Sequence, residues 1–178
     1  MQKLSTISLI ALIALFAACS APRKNAVDRI SALEKQMTAT AGKPDSSKVE
    51  MLTNAYTDFA RQFPKDSLSP EYLLKAGGLL MNAGNGLKAV QVLDQLTRKY
   101  ALSKQAPQAL FLEAFIYENL IVNLPKAGEL YRQFIFRFPN HDMADDAQAS
   151  LNNLGKSPEE LVREFEAKAA DSVKVARK

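Results

Sequence analysis

From residue 26 onward, apolar side chains recur every three or four positions, which is the spacing of one face of an α-helix. No stretch alternates apolar and polar residues as a half-buried strand does, and no Asn-Gly or Asp-Gly hairpin turn occurs. The pattern therefore predicts an all-α fold of about eight helices. The stripes that define them are Val27, Ile30, Leu33 and Met37; Leu52, Tyr56, Phe59 and Phe63; Leu73, Ala76, Gly77 and Leu80; Val90, Leu93, Leu96 and Tyr100; Leu110, Ala114 and Tyr117; Leu130, Phe134 and Phe138; Ala144, Ala147, Leu151 and Leu154; and Leu161, Phe165 and Ala169.

Prolines and capping residues divide the chain at the same places. Ser69 is a predicted N-cap, and Ser157 with Glu160 has the spacing of a capping box. Segment 82–86 (NAGNG) predicts a helix–helix turn, and Gly155 predicts a C-terminal cap. Prolines stand where helices are expected to begin or to have ended: Pro44, Pro70, Pro107, Pro125 and Pro158 at starts, and Pro64 and Pro139 just past ends.

One aromatic sequence motif occurs twice, as YTDFARQFPKDS (56–67) and YRQFIFRFPNHD (131–142). A weaker copy lies between them, because Leu93, Leu96 and Tyr100 precede Tyr131, Phe134 and Phe138 by a constant 38 positions. The offset from Phe63 to Tyr100 is 37. Agreement at so many positions indicates an internal repeat of one helix pair.

The repeat resembles the tetratricopeptide repeat (TPR), a helix pair of about 34 residues. The small residues of that family fall here on Gly77 and Ala89, and on Ala127 in the next unit, whereas Phe115 departs from the pattern. Small residues let the two helices of a pair approach closely. The resemblance implies a right-handed α-solenoid of TPR-like helix pairs, with units at about 26–64, 70–101, 107–139 and 142–176.

The amino terminus has the features of an export signal, with Lys3 followed by an apolar run over 9–18. Ten residues are too few for a membrane-spanning helix, which needs about 20. The run ends LFAACSAP, which resembles the lipobox of bacterial lipoproteins, although Phe16 stands where that family usually has Leu. The resemblance implies a signal peptide over 1–18, lipidation of Cys19, and a polar tether to residue 25 before the helical domain (26–178). An ordinary signal peptide with an incidental cysteine is the alternative.

A lipobox followed by long TPR-like units resembles the BamD-like and YbgF-like group of envelope proteins. The most similar stretch is ALFLEAFIYENL, followed by KAGELYRQFIFRFPNH, within 109–141. The resemblance implies a non-catalytic adaptor, anchored by lipid and most often in the outer membrane facing the periplasm. Its expected partners are other envelope proteins or peptide segments, in outer-membrane protein assembly or envelope maintenance.

Composition argues against several other functions. One His and one Cys give no dedicated His/Cys metal site, no internal disulfide and no nucleophile with an evident base, so neither an enzyme nor a metal or other cofactor is expected. The net charge of +4 is spread in alternation, which does not favour nucleic-acid binding. His141 could be a metal ligand or pH sensor, whereas Asp142 to Asp146 are expected to complement the dipole of a helix N-terminus.

In the TPR family, ligands contact the first helix of each pair. Counting from the matched positions predicts a partner-binding groove with apolar floor and polar edges. Packing of a terminal helix into the same groove is the alternative, and a lipoprotein that captures a small molecule or glycan is the second functional hypothesis. The predicted groove residues are Glu71, Leu74, Gly78, Met81, Asn82, Leu112, Ile116, Asn119 and Leu120.

Overall fold

The computed structural model describes residues 21–38 and 45–175, and over these ranges the chain is helical with no strand. The all-helical prediction is confirmed. Cys19 and the predicted signal peptide lie outside the described residues. The helices are α1 (21–38), α2 (Ser46–Gln62), α3 (Leu68–Asn82), α4 (Gly86–Lys99), α5 (Ala106–Asn119), α6 (Leu124–Arg137), α7 (Ala144–Asn153) and α8 (Pro158–Val175).

Consecutive helices pack against each other, as α2 does with α3, α3 with α4, and α6 with α7. Each of the four predicted units spans two consecutive helices, and within the last three units the two helices are joined by a short turn. This arrangement is consistent with a helical repeat. The described chain divides into two compact units, with the boundary after Ala109 inside α5.

The first unit is built around aromatic residues of α2. Its core contains Ile30 of α1, Tyr56 and Phe59 of α2, and Tyr72 and Ala76 of α3. The ring of Phe59 meets the ring of Tyr72 edge-on, with centroids 4.8 Å apart. The predicted apolar stripes of these helices therefore form the core.

The second unit has the same construction around aromatic residues of α6. Tyr131 and Phe134 are fully buried against Leu110 and Ala114 of α5 and Ala147 of α7. Both rings meet the ring of Phe111 edge-on. Such pairs contribute about 0.5–1.5 kcal/mol beyond the burial of their area.

The connector that follows each second helix has one geometry in three copies. The residue after the helix ends it in a non-helical conformation, with φ of −123°, −124° and −132° and ψ of 59°, 41° and 53° at Phe63, Tyr100 and Phe138. Each of these residues donates its N–H to the carbonyl four residues earlier at 2.8 Å. Each then accepts, on its own carbonyl, the N–H of the residue three positions later. The weak middle copy of the aromatic motif therefore has the same backbone hydrogen bonds as the two full copies.

The third position after the aromatic residue holds a side-chain acceptor for the next helix. Asp66 Oδ1 accepts from the N–H of Leu68 at 3.0 Å, and His141 Nδ1 accepts from the N–H of Met143 at 3.2 Å. At the middle copy, Ser103 Oγ is buried without a partner among the described residues. The same position thus caps the following helix with a carboxylate in one connector and an imidazole in another.

The observed start of α3 differs from the predicted one. The helix begins at Leu68, so Ser69 lies inside it rather than at its N-cap. Its hydroxyl donates instead to the carbonyl of Phe63 at 2.6 Å, across the connector. The capping acceptor is Asp66, two residues before the helix, which is why the prediction for Ser69 was wrong.

Two other local predictions, the capping box and the glycine cap, are confirmed. Ser157 Oγ accepts from the N–H of Glu160 at 3.2 Å while the Glu160 carboxylate accepts from the N–H of Ser157 at 2.8 Å, so the capping box is confirmed. Gly155 has φ of +78°, which confirms the predicted cap. Residues 21–25, predicted as a tether, are the first turns of α1. Arg23 in those turns donates to both carboxylate oxygens of Asp66.

The first tyrosine of each full copy of the aromatic motif donates a hydrogen bond to a residue on the first helix of its own pair. Tyr56 donates to Glu34 of α1, and Tyr131 donates to Glu118 of α5, both at 2.7 Å. Burial first, and the acidic partner second, raise the pKa of each tyrosine. Hydrogen bonds to an ionised partner are about twice as strong as neutral ones. The pairs that contain these tyrosines are therefore held by a polar bond as well as by packing.

The middle pair, α3 and α4, is held by close approach instead. A β-carbon added to Gly77 would lie 2.5 Å from Cγ of Leu93, which is fully buried. A β-carbon added to Gly78, one residue later in the same helix, would meet nothing within 4 Å. Only the first glycine is required by packing.

We expect opposite effects from alanine at these two adjacent positions. Gly78→Ala should raise the free energy of unfolding by about 0.5–1 kcal/mol, because alanine restricts the unfolded backbone and favours helix. Gly77→Ala should lower it by about 1–2 kcal/mol, because overpacking outweighs that gain. Urea unfolding followed by circular dichroism measures both. Equal effects would show that α3 and α4 do not approach as described.

Acid should weaken the attachment of α1 through Asp66. The hydrogen bond from Arg23 lowers the pKa of this carboxyl group, so the folded state binds its proton less readily than the unfolded chain does. The resulting stabilisation is complete above the unfolded pKa of about 3.9 and is lost as pH falls through the lower folded value. Asp66→Asn should therefore reduce the free energy of unfolding at neutral pH. The variant should also lose less stability than the parent on acidification, and an unchanged acid profile would contradict this role.

Candidate functional site

The predicted groove residues on α3 share one face of the helix. Glu71, Leu74, Gly78, Met81 and Asn82 fall within an arc of about 100° around its axis. The opposite arc is the core face, where Tyr72, Leu73, Ala76 and Leu80 are buried. Asn82 is exposed, and the other four groove residues are half-buried. The face is therefore accessible in the first unit.

Gly78 makes an opening at the centre of this face. Leu74 lies one helical turn before it and Met81 nearly one turn after it, both with part of their apolar surface accessible. Since an added β-carbon at Gly78 would meet no atom within 4 Å, the space above the backbone is free. A side chain from a partner can approach the helix backbone between Leu74 and Met81.

A network of charged groups borders the first half of this face. Lys75 of α3 donates to Glu34 of α1 at 3.0 Å and lies 3.4 Å from Glu71, one turn earlier. Glu34 also accepts from Tyr56, so it connects α1, α2 and α3. Lys75 additionally lies 5.7 Å from the centroid of the Tyr72 ring. The network positions charged groups beside an apolar strip.

The network also determines the charge of Glu34. Burial alone would raise the pKa of this carboxyl group, but the hydrogen bonds from Tyr56 and Lys75 outweigh it, so the net pKa lies below its usual value. Glu34 is therefore ionised at neutral pH. We name the surface made of Glu71, Leu74, Gly78, Met81 and Asn82, with Lys75 and Glu34 at its border, the α3 face.

The predicted residues on α5 belong to the second unit and differ in accessibility. Leu112 is half-buried, and Asn119 and Leu120 are exposed. Ile116 is 0% exposed, so its side chain is not available to a partner, and the prediction is corrected at this position. Apolar residues occur on all sides of α5, so spacing alone did not separate a core face from a binding face. Phe115 is 38% exposed and was not predicted to face solvent.

The turn after α5 differs from the equivalent turn after α3. Gly84 has φ of +79° and closes α3 with N–H bonds to the last helical turn, from Gly84 to Met81 at 2.9 Å and from Asn85 to Leu80 at 2.8 Å. The equivalent residue, 38 positions later, is Val122, with φ of +58°. A β-branched residue is strained in this conformation. Val122 is 71% exposed, so its side chain contributes little to the core.

A cavity of about 370 Å³ lies between α2 and α4, the second helices of the first two pairs. Thr53 lines it, and the buried Thr53 Oγ1 has no hydrogen-bond partner among the described residues. Polar side chains from both helices, such as Asn54, Lys88 and Gln91, complete much of the lining. Sequence reasoning missed this cavity because it considered only the first helix of each pair.

His141 has a structural role in this geometry. Its Nδ1 accepts a backbone N–H, and its ring lies edge-on to Phe134 with centroids 5.7 Å apart. Asp145 and Asp146 lie in the first turn of α7, as predicted for charges that complement the helix dipole. Within 21–38 and 45–175, no group of three His, Cys, Asp or Glu side chains is placed to hold a metal ion. Over the same residues, no helix has the length and apolar character needed to cross a membrane.

No protein-family model matches the chain, and no curated protein matches it significantly.

Proposed function

We propose that the protein is a lipid-anchored, periplasm-facing adaptor of the bacterial cell envelope, which binds other envelope proteins through TPR-like helix pairs and catalyses no reaction. The α3 face carries this proposal, because it is an accessible strip on a first helix with an opening at Gly78. Its apolar centre between charged and amide groups suits an apolar segment of a partner protein. Outer-membrane protein assembly or envelope maintenance is the context that the resemblance to BamD-like proteins favours.

The proposed anchor is the acylated Cys19, released from the signal peptide by cleavage before it. Two or three acyl chains hold a protein stably at a membrane, whereas one chain binds only marginally. No other cysteine occurs in the chain, so a single residue carries this function. The chain would then be attached to the outer membrane and would not span it.

Removal of the cysteine should release the protein. We expect the Cys19→Ala chain to move from the membrane fraction to the soluble fraction, because no acyl chain can be attached to alanine. Mass spectrometry of the parent should show acyl groups at residue 19. Full retention of the variant in the membrane fraction would exclude lipidation as the sole attachment.

A tyrosine at Gly78 should block partner binding without unfolding the chain. The partners that co-purify with the parent from detergent-solubilised membranes should be lost with Gly78→Tyr, because the ring fills the space between Leu74 and Met81. They should be retained with Gly78→Ala, which leaves the space open. Thermal unfolding followed by circular dichroism should show both variants folded.

Lys88→Tyr is the matched control, since it places the same ring at an exposed position on the second helix of the same pair. It also lines the cavity between α2 and α4, which is the observation that favours capture of a small molecule or glycan. Loss of the co-purified proteins with Lys88→Tyr alone would place the partner site at this cavity and contradict its assignment to the α3 face. Recovery of the parent as a lone monomer would contradict the adaptor.

A further inference from the structure

The helix ends nearest to Cys19 lie together at one edge of the first unit. Since α2, α3 and α4 pack consecutively through short connections, they run antiparallel. The α2–α3 connector (63–67) and the α4–α5 connector (100–105) therefore lie at the same ends of the helices. The bonds from Arg23 to Asp66 place the first turns of α1 there as well. We name this surface the connector edge: the first turns of α1 and the two connectors, with the last turn of α4.

The connector edge is basic. Lys65, Lys99 and Lys104 are exposed, and none of their ammonium groups forms an ion pair with another residue that the structure describes. The carboxylates near them are already paired, Asp66 with Arg23 and Asp94 with Arg98. The opposite edge, by contrast, carries charges of both signs, with Asp45 at the start of α2 and with Glu50 and Lys88 in the lining of one cavity. A surface with unpaired lysines and neutralised acids attracts an anionic partner.

Leu102 lies between Lys99 and Lys104 along the chain. It is 103% exposed, so it contributes nothing to the core. In the repeat, its position corresponds to Lys65 and Asn140, which shows that the connector does not require an apolar side chain there. An apolar side chain that protrudes among lysines is typical of segments that bind at a membrane interface, where the apolar group enters the lipid and the cations contact anionic headgroups.

We propose that the connector edge rests on the anionic phospholipid surface, with Leu102 inserted between the headgroups. The charge and the exposure of Leu102 carry this inference, and it rests also on the proposed anchor at Cys19. Because α1 already includes residue 21, only one residue separates Cys19 from the helix. A linker this short spans at most about 7 Å, so the acyl chains hold the edge against the lipid.

The absence of tryptophan makes the edge directly measurable, because one substitution introduces a single fluorophore. Leu102→Trp places it on the connector edge, and Leu87→Trp places it at the opposite end of α4, where the native leucine is 68% exposed. Each full-length, membrane-extracted protein is reconstituted into vesicles of phosphatidylethanolamine and phosphatidylglycerol with brominated acyl chains. We expect a blue shift and quenching by bromine for Leu102→Trp and neither for Leu87→Trp.

Charge variants test the electrostatic part with the unanchored Cys19→Ala chain. Replacement of Lys65, Lys99 or Lys104 by Glu should weaken binding to the same vesicles by at least about fivefold each, whereas Lys88→Glu should change it little. Added salt should reduce the differences. Equal quenching of both tryptophans, or none, would overturn the proposal. A blue shift without quenching by brominated lipid would also overturn it and would indicate a protein at this edge.

The result for the anchor is read separately. If Cys19 carries no acyl groups but Leu102→Trp is still quenched, the proposed anchor is contradicted and the proposed lipid contact of the connector edge is supported. If Cys19 is acylated and Leu102→Trp is not quenched, the proposed lipid contact of the connector edge is contradicted and the proposed anchor is supported.

Discussion

One backbone arrangement determines where α3, α5 and α7 can begin. An aromatic residue ends the second helix of a pair, and its carbonyl then accepts the N–H of the third residue after it. Because this stops the helix and reverses the chain within six residues, the next helix starts beside the one just completed. Its apolar stripe is thereby presented to a neighbour with a matching stripe. The burial of Phe59 against Tyr72 of α3, and the placement of Phe134 and Ala147 of α7 in one core cluster, follow from that placement.

The sequence predicted most of what depends on local spacing. Helix positions and the capping box at Ser157 could be inferred, because each rests on residues a few positions apart. The repeat could be inferred because similar residues recur at a constant 37 or 38 positions. The bond between Lys75 and Glu34 could not, since 41 residues separate the partners and no spacing rule connects them. The accessible side of α5 was also not predictable, because apolar residues occur on all sides of this helix and leave no polar face from which its orientation can be inferred.

The two surfaces of the first unit use different parts of its helices. The α3 face is made by the side of a helix, whereas the connector edge is made by helix ends. Contact at one does not cover the other. The polar bonds from Glu34 to Tyr56 and Lys75 tie α1 to the helices that carry both surfaces, so the segment nearest Cys19 is part of the folded domain. An anchor at Cys19 would therefore act on the orientation of the domain as well as on its location.

The shared backbone geometry of the three connectors makes the chain modular. A cut after Phe63 and another after Tyr100 leave ends with similar backbone dihedral angles and the same pattern of backbone hydrogen bonds. The 37 residues between the cuts contain one complete helix pair. Recombination at these points can duplicate or delete a pair and still rejoin a native connector. Proteins with this architecture can thus change length by whole helix pairs, because a longer or shorter chain can use the same connector between pairs.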